Sequence, residues 1–200
     1  GGKTVTGQIS IEVVPAAPEP VLEPIRINFQ PAASPVPAGY LADAGDPYGN
    51  RGNGFSYGWS SDITADSRDR DDHADQRYDT LLHMEKNSTS KSWEIAIPNG
   101  IYSINVVFGD PSYTDQTNHV EVDDVSLPDP DREDNFDEHF GIIFGVADGR
   151  LTLSPLPAAD NAKVCFIDIT AIGPTYVTYD DWRASRGTFT DPAGPNCARR

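Results

Sequence analysis

Hydrophobic and polar residues alternate in short runs along most of this chain. Between Thr4 and Val14, Val5, Ile9, Ile11 and Val13 fall on one side, and Thr4, Thr6, Gln8, Ser10 and Glu12 fall on the other. That period-two pattern predicts a half-buried strand over residues 1–14. Pro15, Pro18, Pro20 and Pro24 follow, so residues 15–24 form an extended linker, and the first strand has no local partner. It either ends a preceding domain or completes the sheet of another molecule. Ile25 to Phe29 then opens the main run. A Gly-, Pro- and Asp-rich stretch from Pro31 to Arg77 shows little periodicity and reads as an unusually long loop.

Strand signals return at Tyr78–Met84, at Trp93, Ile95 and Ile97, and at Tyr102, Ile104, Val106 and Phe108. Further runs lie at His119–Val125, Phe140–Val146, Arg150–Ser154 and Lys163–Ile169. Asn99-Gly100 and Asp148-Gly149 between such runs predict hairpin turns. With no helices between the strands, residues 25–173 read as an all-β antiparallel sandwich. Residues 174–200 form a C-terminal extension, with a short helix capped by Thr178 or Asp180, running through Trp182 to Arg186 and stopped by Gly187.

Charge narrows the partners. The 31 Asp and Glu against 15 Lys and Arg give a net charge of -16, which repels nucleic acid and anionic membrane surfaces. No run of about 18 apolar residues is present to insert into a membrane. Abundant carboxylates suit calcium, and they also simply solubilise the surface.

Three catalytic patterns fail on context. Gly54-Phe55-Ser56-Tyr57-Gly58 matches a hydrolase nucleophile elbow, but no apolar strand precedes Ser56 and no amphipathic helix follows it. Pairs of acids for glycosidase chemistry carry no weight in so acidic a chain. His73, His83, His119 and His139 have no metal-ligand spacing. Asp129, Asp131 and Glu133 imitate the start of a calcium loop, but Asp134 stands where its tight turn needs glycine. The chain is therefore expected not to be an enzyme.

Ile25-Arg26-Ile27-Asn28-Phe29, the stretch from Arg51 to Trp59, the run from Trp93 to Gly109 and Cys165-Phe166-Ile167-Asp168-Ile169 together resemble galactose-binding-like and malectin-like carbohydrate modules. The resemblance covers about residues 25 to 172. It implies a jelly-roll sandwich, a place in large extracellular or cell-surface bacterial proteins, a structural calcium near the first and last strands, and glycan binding through aromatic loops. Carried onto this chain, the calcium ligands are Asp168 with Asn28 or with Asp43 and Asp46. Asp168 is also an odd acid in an apolar strand, which calls for a cation or for Arg26 or Arg150 as partner.

Among the aromatic residues of predicted loops, where binding groups concentrate, Trp59 is the first choice for stacking on a sugar. Tyr57, Tyr48 and Tyr113 accompany it. Tyr57 and Trp59 have the alternative of pinning a long loop to the sandwich, and Trp93 and Tyr102 read as core. Cys165 and Cys197 either pair as a disulfide or remain a buried thiol and a tail thiol. Two functions emerge: a calcium-stabilised module that binds a polysaccharide or glycan without converting it, or a structural subunit whose Val5, Ile9, Ile11 and Val13 strand enters a neighbouring copy and builds a head-to-tail fibre.

Overall fold

A computed structural model describes residues 23–129 and 134–173. The orphan strand, most of the proline-rich linker, the C-terminal helix and Cys197 lie outside those residues. In chain order the strands are β1 (Ile25–Phe29), β2 (Leu41–Asp43), β3 (Gly49–Asn50), β4 (Ser56–Trp59) and β5 (Ser67–Asp69). A single helical turn, α1 (Gln76–Asp79), leads into β6 (Thr80–His83), β7 (Glu85–Lys86), β8 (Thr89–Ser90), β9 (Trp93–Ala96) and β10 (Gly100–Gly109). The chain continues through β11 (Val120–Val122), β12 (Val125–Leu127), β13 (Phe136–Val146), β14 (Arg150–Pro155) and β15 (Lys163–Gly173).

Two sheets stack face to face. The first runs β13-β10-β15-β1-β2, with β6 on β15 and β5 on β6, and the second runs β12-β11-β14-β9-β4-β3. All pairings between these strands are antiparallel except β1 with β2. The alternation seen in the sequence explains the sandwich. Ile27, Phe29, Ile104, Val106, Ile167 and Ile169 of the first sheet meet Trp59, Trp93, Ile95, Leu151 and Leu153 of the second in one buried core.

Both expected hairpins are instead corners between the sheets. Asn99-Gly100 joins β9, which pairs with β14 and β4, to β10, which pairs with β13 and β15. Asp148-Gly149 likewise joins β13 of the first sheet to β14 of the second. The two corners lie side by side, Asn99 Nδ2 donating to Ala147 O at 2.9 Å and Ile97 N to Gly149 O at 3.1 Å. A tight reversal is what the dipeptides encode, while the choice of sheet is made by distant partners. The expected loop from Pro31 to Arg77 also differs, since it holds β2 to β5 and α1.

The first sheet has a second, smaller core on its outer face. Leu81, Val107, Cys165 and Phe166 are covered there by Tyr40, Tyr78 and Phe136. The Arg77 guanidinium lies 4.9 Å over the Phe166 ring. Beside it is a buried charge network. Asp110 pairs with Arg70 and Lys163, and Lys163 Nζ also reaches Asp115 at 2.9 Å and Gln116 Oε1 at 2.8 Å. Cys165 is a buried free thiol donating to Gly109 O at 3.4 Å, and burial pushes its ionisation far up.

Candidate functional site

The structure corrects the choice of Trp59 and Tyr57 for glycan stacking. They are 1% and 2% exposed, which leaves neither ring free for a sugar. Both sit on β4, and alternation turns both inward. Trp59 Nε1 and Trp93 Nε1 donate to the two oxygens of Asp43 at 3.0 and 2.8 Å, and Phe29 packs edge-on against both indoles. Tyr57 Oη donates to Ala42 O. Tyr113 and Tyr48 remain at the surface. Tyr113 is 51% exposed with the Arg70 guanidinium 4.7 Å from its ring centre, and half-buried Tyr48 carries Arg150 at 4.2 Å.

The expected calcium ligands do not converge either. Asp43 stands opposite Phe29 and points into the core, where its oxygens are taken by Gly45 N and the two indoles. Asn28 and Asp168 share register with Phe166 and Arg26 on the opposite face. One ion cannot join side chains on two faces of a sheet. Asp46 is exposed and contributes its backbone oxygen to Arg51 and Trp59. Asp168 and Asn28 each keep a buried Oδ1 without a hydrogen-bond partner. Arg26 lies directly across from Asp168 and the Tyr40 hydroxyl bonds to it, whereas Arg150 belongs to the other sheet.

A different set fits a hard cation. Asp69, Asp71 and Asp79 each bring a carboxylate oxygen within 4.8 Å of the others. Asp79 is anchored by the N–H groups of Asp71, Asp72 and His73 at 3.0, 2.8 and 2.7 Å. Burial pushes its carboxyl up, but those N–H groups, with Asp69 beside them, hold it below the usual range. Asp69 Oδ1 is buried with no partner. Three carboxylates at this spacing supply the oxygen donors calcium prefers.

The outer face of the second sheet holds a groove. Leu151 and Leu153 of β14 and Val120 and Val122 of β11 point inward, so Thr152, Ser154 and Glu121 point out. Together with Asp123 and Asp124 of the β11–β12 turn, residues 145–148 and Arg150, they line a cavity of about 430 Å³. Ligand sites commonly have volumes on the order of 300–1,000 Å³. Arg150 bonds Glu94 across the strands. The ring of Tyr48 lies beneath its guanidinium.

Asp123 is the groove's perturbed group. It adopts φ 48° at the turn, its N–H bonds to Thr152 O, and its Oδ1 accepts from Thr152 N at 3.0 Å. Its Oδ2 is buried without a partner. Burial lifts its carboxyl, and against the Thr152 N–H the charges of Asp148, Asp124 and Glu121 add to that lift, reaching about 6. The sequence reading passed over this residue. Its signal was an Asp-Asp pair between Val122 and Val125, a turn between two apolar ends.

No family model matches the sequence, and no curated protein does. Among solved structures, protein YXIM from Bacillus subtilis is similar, with 21% identity over 78% of this chain and a TM-score of 0.53. A complex of the plant peptide RALF23 with FER and LLG2 gives 15% identity over 80% of this chain and a TM-score of 0.45. This chain spans 42% of each matched chain. The first likeness shows the fold: an all-β sandwich.

Proposed function

We propose that this chain is a non-catalytic carbohydrate-binding module that works outside the cell, with its glycan site in the groove over the second sheet. The observation that carries this reading is the groove's lining. Glu121, Asp123 and Asp124 accept hydrogen bonds from sugar hydroxyls, Thr152 and Ser154 both donate and accept, and Arg150 donates. Tyr48 beside Arg150 offers the aromatic contact. Calcium, in the same reading, belongs to Asp69, Asp71 and Asp79, where it would neutralise three clustered carboxylates and fix the loop before α1.

Binding of neutral and acidic polysaccharides by wild type, Tyr48→Ala and Arg150→Ala tests the glycan site. Each substitution is expected to weaken affinity about tenfold, or about 1.4 kcal/mol. Equal retention of all three proteins on every polysaccharide bound would remove the groove from consideration.

The fibre reading has one favourable observation. From Glu138 to Gly145, β13 has no strand on its outer side among the described residues, so it is an edge open to strand addition. A bulge at Gly141, with φ 70° and its N–H turned to Asn105 Oδ1, interrupts that edge midway. The glycan reading therefore stands first.

A further inference from the structure

The groove over the second sheet is strongly charged as well as polar. Glu121, Asp123, Asp124 and Asp148 line it against one basic residue, Arg150, whose guanidinium is already bonded to Glu94 across the strands. A cleft lined by one sign of charge focuses the field inside it, so cations gather there and anions are turned away. The field acts on Asp123, where the charges of Asp148, Asp124 and Glu121 oppose its ionisation.

The placement of these acids narrows the kind of cation. Among the described residues, only Asp69, Asp71 and Asp79 gather three carboxylate oxygens within 4.8 Å of one another. The groove acids are too dispersed to close round one metal ion, and they suit positive charges spaced along an extended ligand. Asp123 also keeps a buried Oδ2 with no hydrogen-bond partner, while its Oδ1 is held by Thr152 N. A buried carboxylate oxygen in that state is best served by a charged N–H donor, because charge-assisted hydrogen bonds are the strong ones. Thr152 and Ser154 add hydroxyl partners, and Tyr48 adds a ring beside Arg150. Those contacts fit the hydroxyls and C–H faces of sugar rings, which a plain polyamine lacks.

We propose that the glycan taken by this groove is an amino-sugar oligomer carrying free, protonated amines, of which a glucosamine chain is the simplest. This inference rests on the groove being the glycan site and goes further by fixing the sign of the ligand's charge.

Calorimetric titration of the full chain in mildly acid buffer, with glucosamine, N-acetylglucosamine and galacturonate oligomers of equal length, tests it. Glucosamine should bind about tenfold tighter than its acetylated counterpart, galacturonate should bind weakest, and the preference should shrink as salt is raised. Asp123→Asn with Asp148→Asn keeps acceptors for Thr152 N and Arg150 N. That pair should cut glucosamine affinity about tenfold and leave N-acetylglucosamine within about twofold. Glu23→Gln, which removes an exposed acid just before β1 on the other sheet, should change neither. Equal affinity for glucosamine and N-acetylglucosamine, still lost in Tyr48→Ala, would overturn the amino-sugar inference and leave the groove standing. Glucosamine binding that ignores both Tyr48→Ala and the double Asn change would remove the groove and the inference together. Failure of glucosamine to bind would overturn the inference. So would equal binding of tetralysine, because the groove would then select positive charge without reading a sugar.

Discussion

The two sheets spend their outer faces differently. On the first, loops and α1 fold over the strands, and polar groups are consumed internally. Asp79 takes three backbone N–H groups, Asp110 takes Arg70 and Lys163, and Tyr40, Tyr78 and Phe136 close a second core. On the second, Glu121, Asp123, Thr152, Ser154 and Arg150 line an open groove. Charges on the covered face are spent on stability, whereas those around the groove stay available to a ligand. The contrast supports the proposed placement of a glycan site on the second sheet better than any single residue does.

The contrast is broken most severely by Asp79→Ala. Removing the carboxylate strands several N–H groups in a part-buried loop, and unfolding free energy should fall by about 2–3 kcal/mol. The matched change on the open face, Arg150→Ala, should leave the denaturation midpoint where it was. Equal losses would mean that the open face is structural too.

Acid should attack the covered side next. His83 on β6 is held neutral by burial, with Lys163, Lys86 and Arg68 nearby, and its ionisation drops to about 4. A depressed folded value means that its contribution is complete above the ordinary 6.5 and is lost as pH falls towards 4. Stability should decline across that window by on the order of 2 kcal/mol, and His83→Gln should flatten the decline. A profile identical in the variant would assign the acid loss to other groups.

Calcium sharpens the same side. Added calcium should raise the melting temperature, by about 2.7 kcal/mol of stability at a hundredfold excess over its dissociation constant. Asp69→Asn with Asp71→Asn should abolish the rise, while Asp46→Asn should not. Melting that ignores both calcium and chelator would end the calcium reading.

The smallest effect belongs to the groove. Asp123 ionises at about 6 in the folded chain, above its ordinary value. Its contribution is therefore complete below about 4 and lost as pH rises through 6. The cost, on the order of 1 kcal/mol after solvent screening, should vanish in Asp123→Asn.

Much of this architecture was legible in the sequence, because alternation reports which side of a strand is buried without knowing its neighbour. Ile95, Ile97, Ile104, Val106 and Phe108 fall at every second position of their runs, and all five lie in the core. Pairing was not legible. Asn99-Gly100 and Asp148-Gly149 encode a reversal, and only the distant partners of β9 and β14 decide that the chain changes sheets there. Trp59 was misplaced for a related reason. The glycine-rich text around it concealed a four-residue strand, and burial of its indole depends on Asp43, sixteen positions away. The groove required β11, β13 and β14 to meet, which no local pattern states.

The most direct test is a chemical-shift titration of the isotopically labelled chain with the best-retained oligosaccharide. The account predicts shifts confined to amides of residues 121–124 and 145–154 and to Tyr48, with those near Arg70, Tyr113 and Lys163 unmoved. Shifts centred on Tyr113 and the loop before α1, with the groove silent, would contradict it.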